Sequence, residues 1–199
     1  MSPTSFPPFR VMLSRDQILR RTHELARAIQ DDLRAAGAVA PPCLVAVIEG
    51  ARPFARQLQK VLPGNLPVHE VRASSYSGTT STGTVAVTGA AIPCEGRHVL
   101  LLEDIVDTGR TIATLQRHFL TAGALSCRVA TLLSKPSRRA VEVQLHYVGF
   151  EIPDEFVLGF GMDLDGRYRE LPDVVIYESH VERAFQLAQA AAGAPIEPR

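Results

Sequence analysis

Glu103 and Asp104 stand side by side, and two residues later comes Asp107-Thr108-Gly109-Arg110-Thr111. Adjacent carboxylates can accept hydrogen bonds from sugar hydroxyls or hold a hydrated Mg2+ through oxygen. The hydroxyls of Thr108 and Thr111, with the backbone N–H groups of residues 108–111, can cradle a phosphate at the positive end of a helix that begins there. A sugar with a phosphate on one side and vicinal hydroxyls on the other would satisfy both groups at once.

For that chemistry the acids and the loop must be held at one edge of a sheet. Residues 98–102 form an apolar run suited to a strand covered on both faces of a parallel sheet. Ile112, Leu115, Gln116 and Phe119 follow at helical spacing, ending near Gly123. Strand, tight turn and helix therefore succeed one another, and in such sheets ligands gather at the carboxyl ends of the strands. Further buried strands are expected at residues 43–48 and 128–133, alternating ones at 68–72 and 84–88, and a last one at 173–177. Ser14 and Gln17 have capping-box spacing before Ile18, Thr22, Leu25, Ile29 and Leu33, with Gly37 at the end of that helix. His23 and the arginines fall on its wet face. Pro53 opens a second helix carrying Phe54, Leu58 and Val61, and Ser179 with Glu182 repeats the capping spacing before a last one. Residues 1–13, with Pro3, Pro7 and Pro8, read as an irregular arm. The expected fold is one α/β domain over residues 1–199, a mainly parallel sheet flanked by helices with a small hood over the strand C-terminal ends.

Composition narrows the function. The chain has 199 residues, 46% of them apolar, with 21 basic and 21 acidic side chains. That balance leaves no electrostatic footprint for nucleic acid. No apolar signal core or membrane-length run is present, so a soluble, cytoplasmic protein with no membrane partner is expected. Cys43, Cys94 and Cys127 are scattered, without metal spacing, and reduced thiols fit that compartment. The six histidines show no ligand spacing either.

The run 98–111 resembles the phosphoribosyl-pyrophosphate (PRPP) motif of the type I phosphoribosyltransferases. Segments in order from residue 43 to 176 narrow the resemblance to the hypoxanthine-guanine phosphoribosyltransferases. It implies transfer of phosphoribose from PRPP to a 6-oxopurine with Mg2+ as cofactor, in a homodimer or homotetramer. Glu103 and Asp104 would hold the ribose hydroxyls and the metal, and Asp107, Thr108, Gly109, Arg110 and Thr111 the phosphate end, with Asp107 the proton acceptor beside purine N7. Glu49 and Gly50, in Glu-Gly-Ala-Arg, align with the pyrophosphate loop, where the family usually has Lys in place of Glu49. Without the resemblance, that tetrapeptide reads as an ordinary strand-helix turn.

Residues 73–83 have almost nothing to bury. They resemble the catalytic lid, about residues 73–88, with Ser75 and Tyr76 closing over pyrophosphate. Lys135, after Ser134, aligns with the donor to the purine 6-oxo group. Residues 148–172, with the N-terminal arm, resemble the base-binding hood. There Phe156 would stack on the purine, Val157 meet its edge, Asp163 supply a second metal contact and Arg169 bind pyrophosphate. Asp165 and Arg167 are the neighbouring alternatives for the last two. A PRPP-sensing regulator of the same fold, with little transferase activity, is the other function such a chain could serve.

Overall fold

The structure, a computed structural model, describes residues 6–37, 40–75, 85–88 and 91–193. Its centre is a six-stranded sheet: β2 (Cys43–Val47), β3 (Val68–Ser75), β4 (Val85–Thr88), β5 (His98–Val106), β6 (Ser126–Ser134) and β7 (Tyr147–Glu151), in the order β4-β3-β2-β5-β6-β7. All pairings are parallel except β3 with β4. Because alternate side chains point to opposite faces, the central strands β2, β5 and β6 each supply two cores. Leu44, Ala46, Leu100, Leu102, Ala130 and Leu132 pack under α1 (Arg15–Ala35) and α2 (Arg52–Val61). Val45, Val47, Val99, Leu101 and Val129 pack with Ile112, Leu115 and Phe119 of α3 (Arg110–Thr121). The continuous apolar runs are thus explained by burial on both sides.

Helix α1 begins as its sequence dictates. The Gln17 side chain accepts from the Ser14 N–H at 2.8 Å, and Ser14 Oγ accepts from the Gln17 N–H at 3.4 Å. Arg21 departs from the expected wet face: its guanidinium donates to the carbonyls of Gly149 and Val148 at 2.8 and 2.9 Å, pinning α1 to β7. All three cysteines are free and buried, and burial pushes the Cys127 thiol up to about 12. No helix among the described residues is long and apolar enough to cross a membrane.

A second, three-stranded sheet forms the hood. Its order is β1 (Arg10–Leu13), β9 (Val174–Ile176), β8 (Val157–Leu158), all antiparallel. The expectation of an irregular arm to residue 13 is therefore corrected at its C-terminal end, where residues 10–13 pair with β9. The start of the expected hood is corrected too, since residues 147–151 are β7 of the large sheet. The expected loop after residue 72 begins later, because β3 runs on to Ser75. The rest of the lid, residues 76–84, and the Ser75 side chain lie outside the described residues.

Helix α4 (Ser179–Gly193) closes the fold under the hood. Its expected capping box does not form. Glu182 is buried and accepts instead from Arg167, Tyr168 and Tyr177, at 2.6, 2.6 and 2.8 Å.

Candidate active site

Sheet and hood enclose the carboxyl ends of β2, β5 and β6. Strand β5 outruns β2: pairing with β2 stops at Leu102, while pairing with β6 continues to Val106. Glu103 and Asp104 thus lie within the strand, just where the β2 side has opened. Both are buried. Burial pushes the Glu103 carboxyl well above the usual carboxylate range, and the adjoining Asp104 carboxyl reinforces this. Burial raises Asp104 as well, against a downward pull from its hydrogen bond to Glu103, the Asp104 and Ile105 backbone and the Arg169 guanidinium. Glu103 Oε2 is buried with no hydrogen-bond partner among the described residues, a costly state for a polar atom that suits one waiting for a ligand.

Asp104 packs directly on the β2-α2 loop. A Cβ added at Gly50 would lie 1.8 Å from Asp104 Oδ2, so only glycine fits there. On the other side of that loop a Cβ at Gly161, in the hood, would lie 2.0 Å from the Gly50 carbonyl oxygen. Acid, loop and hood are stacked without room for a side chain between them. The Ile48–Glu49 peptide is cis. Ala51 N–H donates to the Val47 carbonyl at 3.2 Å, whereas the Glu49 and Gly50 N–H groups meet no acceptor among the described residues. Glu49 itself is paired with two cations, Arg52 and Arg72. Arg52 also grips Glu70 through Nε and Nη2, at 2.7 and 2.8 Å.

The β5-α3 turn has the strand, tight turn and helix order read from the sequence. Gly109 caps α3 in the left-handed region, φ 83°. A side chain there would be strained and would also press on the Val141 carbonyl, 2.8 Å from its Cβ. The Thr108 carbonyl accepts from Ala140 and Val141 N–H at 3.0 and 3.1 Å, bracing the turn. The first amides of α3, at Arg110, Thr111 and Ile112, are those a helix leaves without intrahelical acceptors.

Lys135 follows β6 and is 7% exposed. Its Nζ lies 3.8 Å from Asp154 Oδ1. Asp154 Oδ2 is also 3.6 Å from Arg138 Nη1, and Arg138 Nε is 3.2 Å from Asp107 Oδ1. Arg139 donates to the Asp107 carbonyl at 2.8 Å and to Ser134 Oγ at 2.9 Å. The sequence reading gave no site role to Asp154, Arg138, Arg139 or Arg72. The basic Arg-Arg pair just after Lys135 was the one available signal.

The hood supplies the rest. Phe156 is 51% exposed, its ring 5.6 Å from that of Tyr177, and Val157 is buried in β8. The structure separates the two alternatives left by the sequence. Asp163 and Arg169 face each other, with Arg169 Nη2 2.7 Å from Asp163 Oδ1, and Arg169 also bears on Asp104. Arg167 turns away to Glu182, and Asp165 sits in a turn at φ 52°. Asp163 further accepts from Gly166 N–H at 2.6 Å. Among the described residues no three His, Cys, Asp or Glu side chains group closely enough to hold a metal by themselves.

Comparison with known proteins identifies the family. Residues 14–165 match the family model of the phosphoribosyl transferase domain. The chain is 36% identical over 174 residues to hypoxanthine-guanine phosphoribosyltransferase of Streptococcus thermophilus (strain CNRZ 1066), covering 86% of this chain and 94% of that protein. It is 41% identical over 165 residues to the Mycobacterium avium protein of the same name, covering 81% of each. A crystal structure of a hypoxanthine-guanine phosphoribosyltransferase from Bacillus anthracis superposes with a TM-score of 0.78 at 33% identity, covering 84% of this chain and 98% of that one.

Proposed function

The chain belongs to the phosphoribosyl transferase domain family, and within it to the hypoxanthine-guanine phosphoribosyltransferases, and we propose that it joins a 6-oxopurine to PRPP. The products are the nucleoside monophosphate and pyrophosphate. The bond from ribose C1′ to pyrophosphate oxygen breaks as the bond from C1′ to purine N9 forms, with the proton at N7 passing to Asp107. Departure of pyrophosphate running ahead of attack leaves positive charge on the ribose, so catalysis is mainly orientation and charge stabilisation.

Each residue has a task in that scheme. The α3 amides and the hydroxyls of Thr108 and Thr111 take the 5′-phosphate, with Gly109 and Arg110 shaping the turn. Glu103 and Asp104 take the ribose hydroxyls. The Glu49 and Gly50 amides and Arg169 take pyrophosphate. Phe156 stacks on the base, Val157 meets its edge, and Lys135 donates to the 6-oxo group. Ser75 and Tyr76 close over pyrophosphate.

The oxygen donors present fit Mg2+. A buried, unpartnered Glu103 Oε2 beside Asp104 suits a hard cation, and Mg2+ is commonly held by one or two carboxylates together with substrate phosphates, not by a protein cage. When bound, the metal would neutralise the departing pyrophosphate and orient the ribose. Asp163 would contribute only by loosening its bond to Arg169. A homodimer or homotetramer working in the cytoplasm completes the reading.

One observation carries it: buried paired acids, one of which, Asp104, packs without a gap on Gly50 of the neighbouring loop, at the same sheet edge as a glycine-capped helix start and a buried lysine. The test is incubation with PRPP, Mg2+ and hypoxanthine. One nucleotide and one pyrophosphate should appear per base consumed. PRPP binding without turnover would instead mark a sensor.

A further inference from the structure

Asp154 connects two groups that the proposed chemistry uses separately. Its carboxylate lies between Lys135, 3.8 Å away, and Arg138, 3.6 Å away, and Arg138 reaches Asp107 at 3.2 Å. The side chain assigned to the 6-oxo group and the one assigned to the N7 proton are thus joined through two residues that have no assigned role. Lys135 is buried, and Asp154 is its salt-bridge partner among the described residues. The Lys135 side chain is 9% exposed and that of Asp154 53%, so the carboxylate offsets a buried charge from the solvent side. The spacing also matters: 3.8 Å is beyond hydrogen-bond length. Asp154 therefore balances the charge while leaving the ammonium hydrogens available to an incoming acceptor.

We propose that Asp154 is a specificity-determining positioning residue, which holds Lys135 as a donor facing the 6-position of the base and, through Arg138, ties it to Asp107. The proposal rests on the purine-transfer reading above. An ammonium has donors only, so it matches a 6-oxo acceptor and opposes the donor face of a 6-amino group. With Asp154 neutral, Lys135 loses the anion that keeps it in place and the pocket loses its bias between the two.

The experiment uses the full chain and its Asp154→Asn, Asp154→Glu and Arg138→Gln variants, with hypoxanthine or adenine as base at saturating PRPP and Mg2+. Asp154→Asn should raise KM for hypoxanthine roughly tenfold, part of the worth of a charge-assisted hydrogen bond. The hypoxanthine-to-adenine ratio of kcat/KM should fall by a similar factor, with KM for PRPP within twofold of wild type. Asp154→Glu should recover most of the ratio. Arg138→Gln, which leaves the Lys135–Asp154 contact in place, should lower kcat with hypoxanthine while KM for the base stays put. Asp154 is exposed, so the fold should survive, and Tm checks this. An unchanged ratio in Asp154→Asn, or an equal rise in KM for PRPP, overturns the role of Asp154 while transferase activity stands. If Asp154→Asn does not fold, an Arg138→Gln enzyme with unaltered kcat overturns it instead. A wild-type chain forming no nucleotide from hypoxanthine would overturn the functional reading as well.

Discussion

Glu49 and Gly50 are neighbours on one loop, yet their substitutions should differ by orders of magnitude. Glu49 lies on a loop proposed to hold a diphosphate, but its charge is already met by Arg52 and Arg72. Its side chain is therefore expected to contact no substrate. Glu49→Ala should change kcat/KM for PRPP by less than tenfold, a barrier change below about 1.4 kcal/mol. A larger loss would give the carboxylate a direct role, and a large gain would mean the freed arginines bind pyrophosphate better than they do now. Gly50→Ala, in contrast, sets a Cβ 1.8 Å from Asp104 Oδ2 and 2.5 Å from its Cγ. One of the two must move, and both the loop and the acid are assigned to PRPP. A loss in kcat/KM of roughly a hundredfold or more is expected, since displacements of about 1 Å have that effect on aligned groups. Near-wild-type kinetics in Gly50→Ala would show that Asp104 need not sit where it does.

At the scale of elements, what the sequence revealed depended on whether a signal was local. The Ser14–Gln17 box is made entirely by residues three apart, and it formed as read. The same spacing at Ser179 and Glu182 failed because three side chains from the hood compete for the Glu182 carboxylate. Strand β1 was hidden for a related reason: only pairing with β9, from the far end of the chain, makes residues 10–13 extended. The Glu182 cluster ties α4 to the hood, and Tyr177 passes that support on, bonding the Phe156 carbonyl through its N–H at 2.8 Å and bracing its ring. The Tyr168 hydroxyl, then Tyr177 and Arg167, hold the Glu182 carboxyl below its ordinary range against the effect of burial. A depressed folded pKa adds stability that is complete above the unfolded value, about 4.3, and is lost as pH falls through the folded one. Glu182→Gln should therefore destabilise the protein at pH 7 by on the order of 2 kcal/mol. The cost should shrink as the pH is lowered below about 4. Thermal melts of both proteins across pH 3–7 measure this, and a difference independent of pH would mean that the carboxylate charge is not what holds α4.

For the whole molecule, the centre of the large sheet was legible because β2, β5 and β6 bury both faces and announce themselves as apolar runs, whereas β7, with burial on one side, was read as the start of the hood. The catalytic edge was legible as a string of motifs in order. What the string could not give is which hood residues touch which residues of the large sheet. Gly161 rests on the Gly50 carbonyl, and Arg169 joins Asp163 in the hood to the field of Asp104 in the large sheet. Lys135, Arg138 and Asp154 likewise meet because β6 and β7 pair as far as Ser134 and Glu151 and so end side by side. A substrate held by α3, the β2-α2 loop and Arg169 together would bridge both bodies, so binding should act on the stability of the fold as a unit. At a hundredfold excess over Kd, a ligand of the native state adds about 2.7 kcal/mol. In a chain of this size each kcal/mol moves Tm by roughly 2–4 °C. PRPP with Mg2+ should therefore raise a single unfolding transition by roughly 5–10 °C, and PRPP without the metal by clearly less. In Asp104→Asn the metal-dependent part of the rise should disappear, because one of the two carboxylates assigned to the cation is gone. Two separate transitions, only one of them responding to PRPP, would show that sheet and hood do not share the substrate. An undiminished metal effect in Asp104→Asn would move the cation to other ligands.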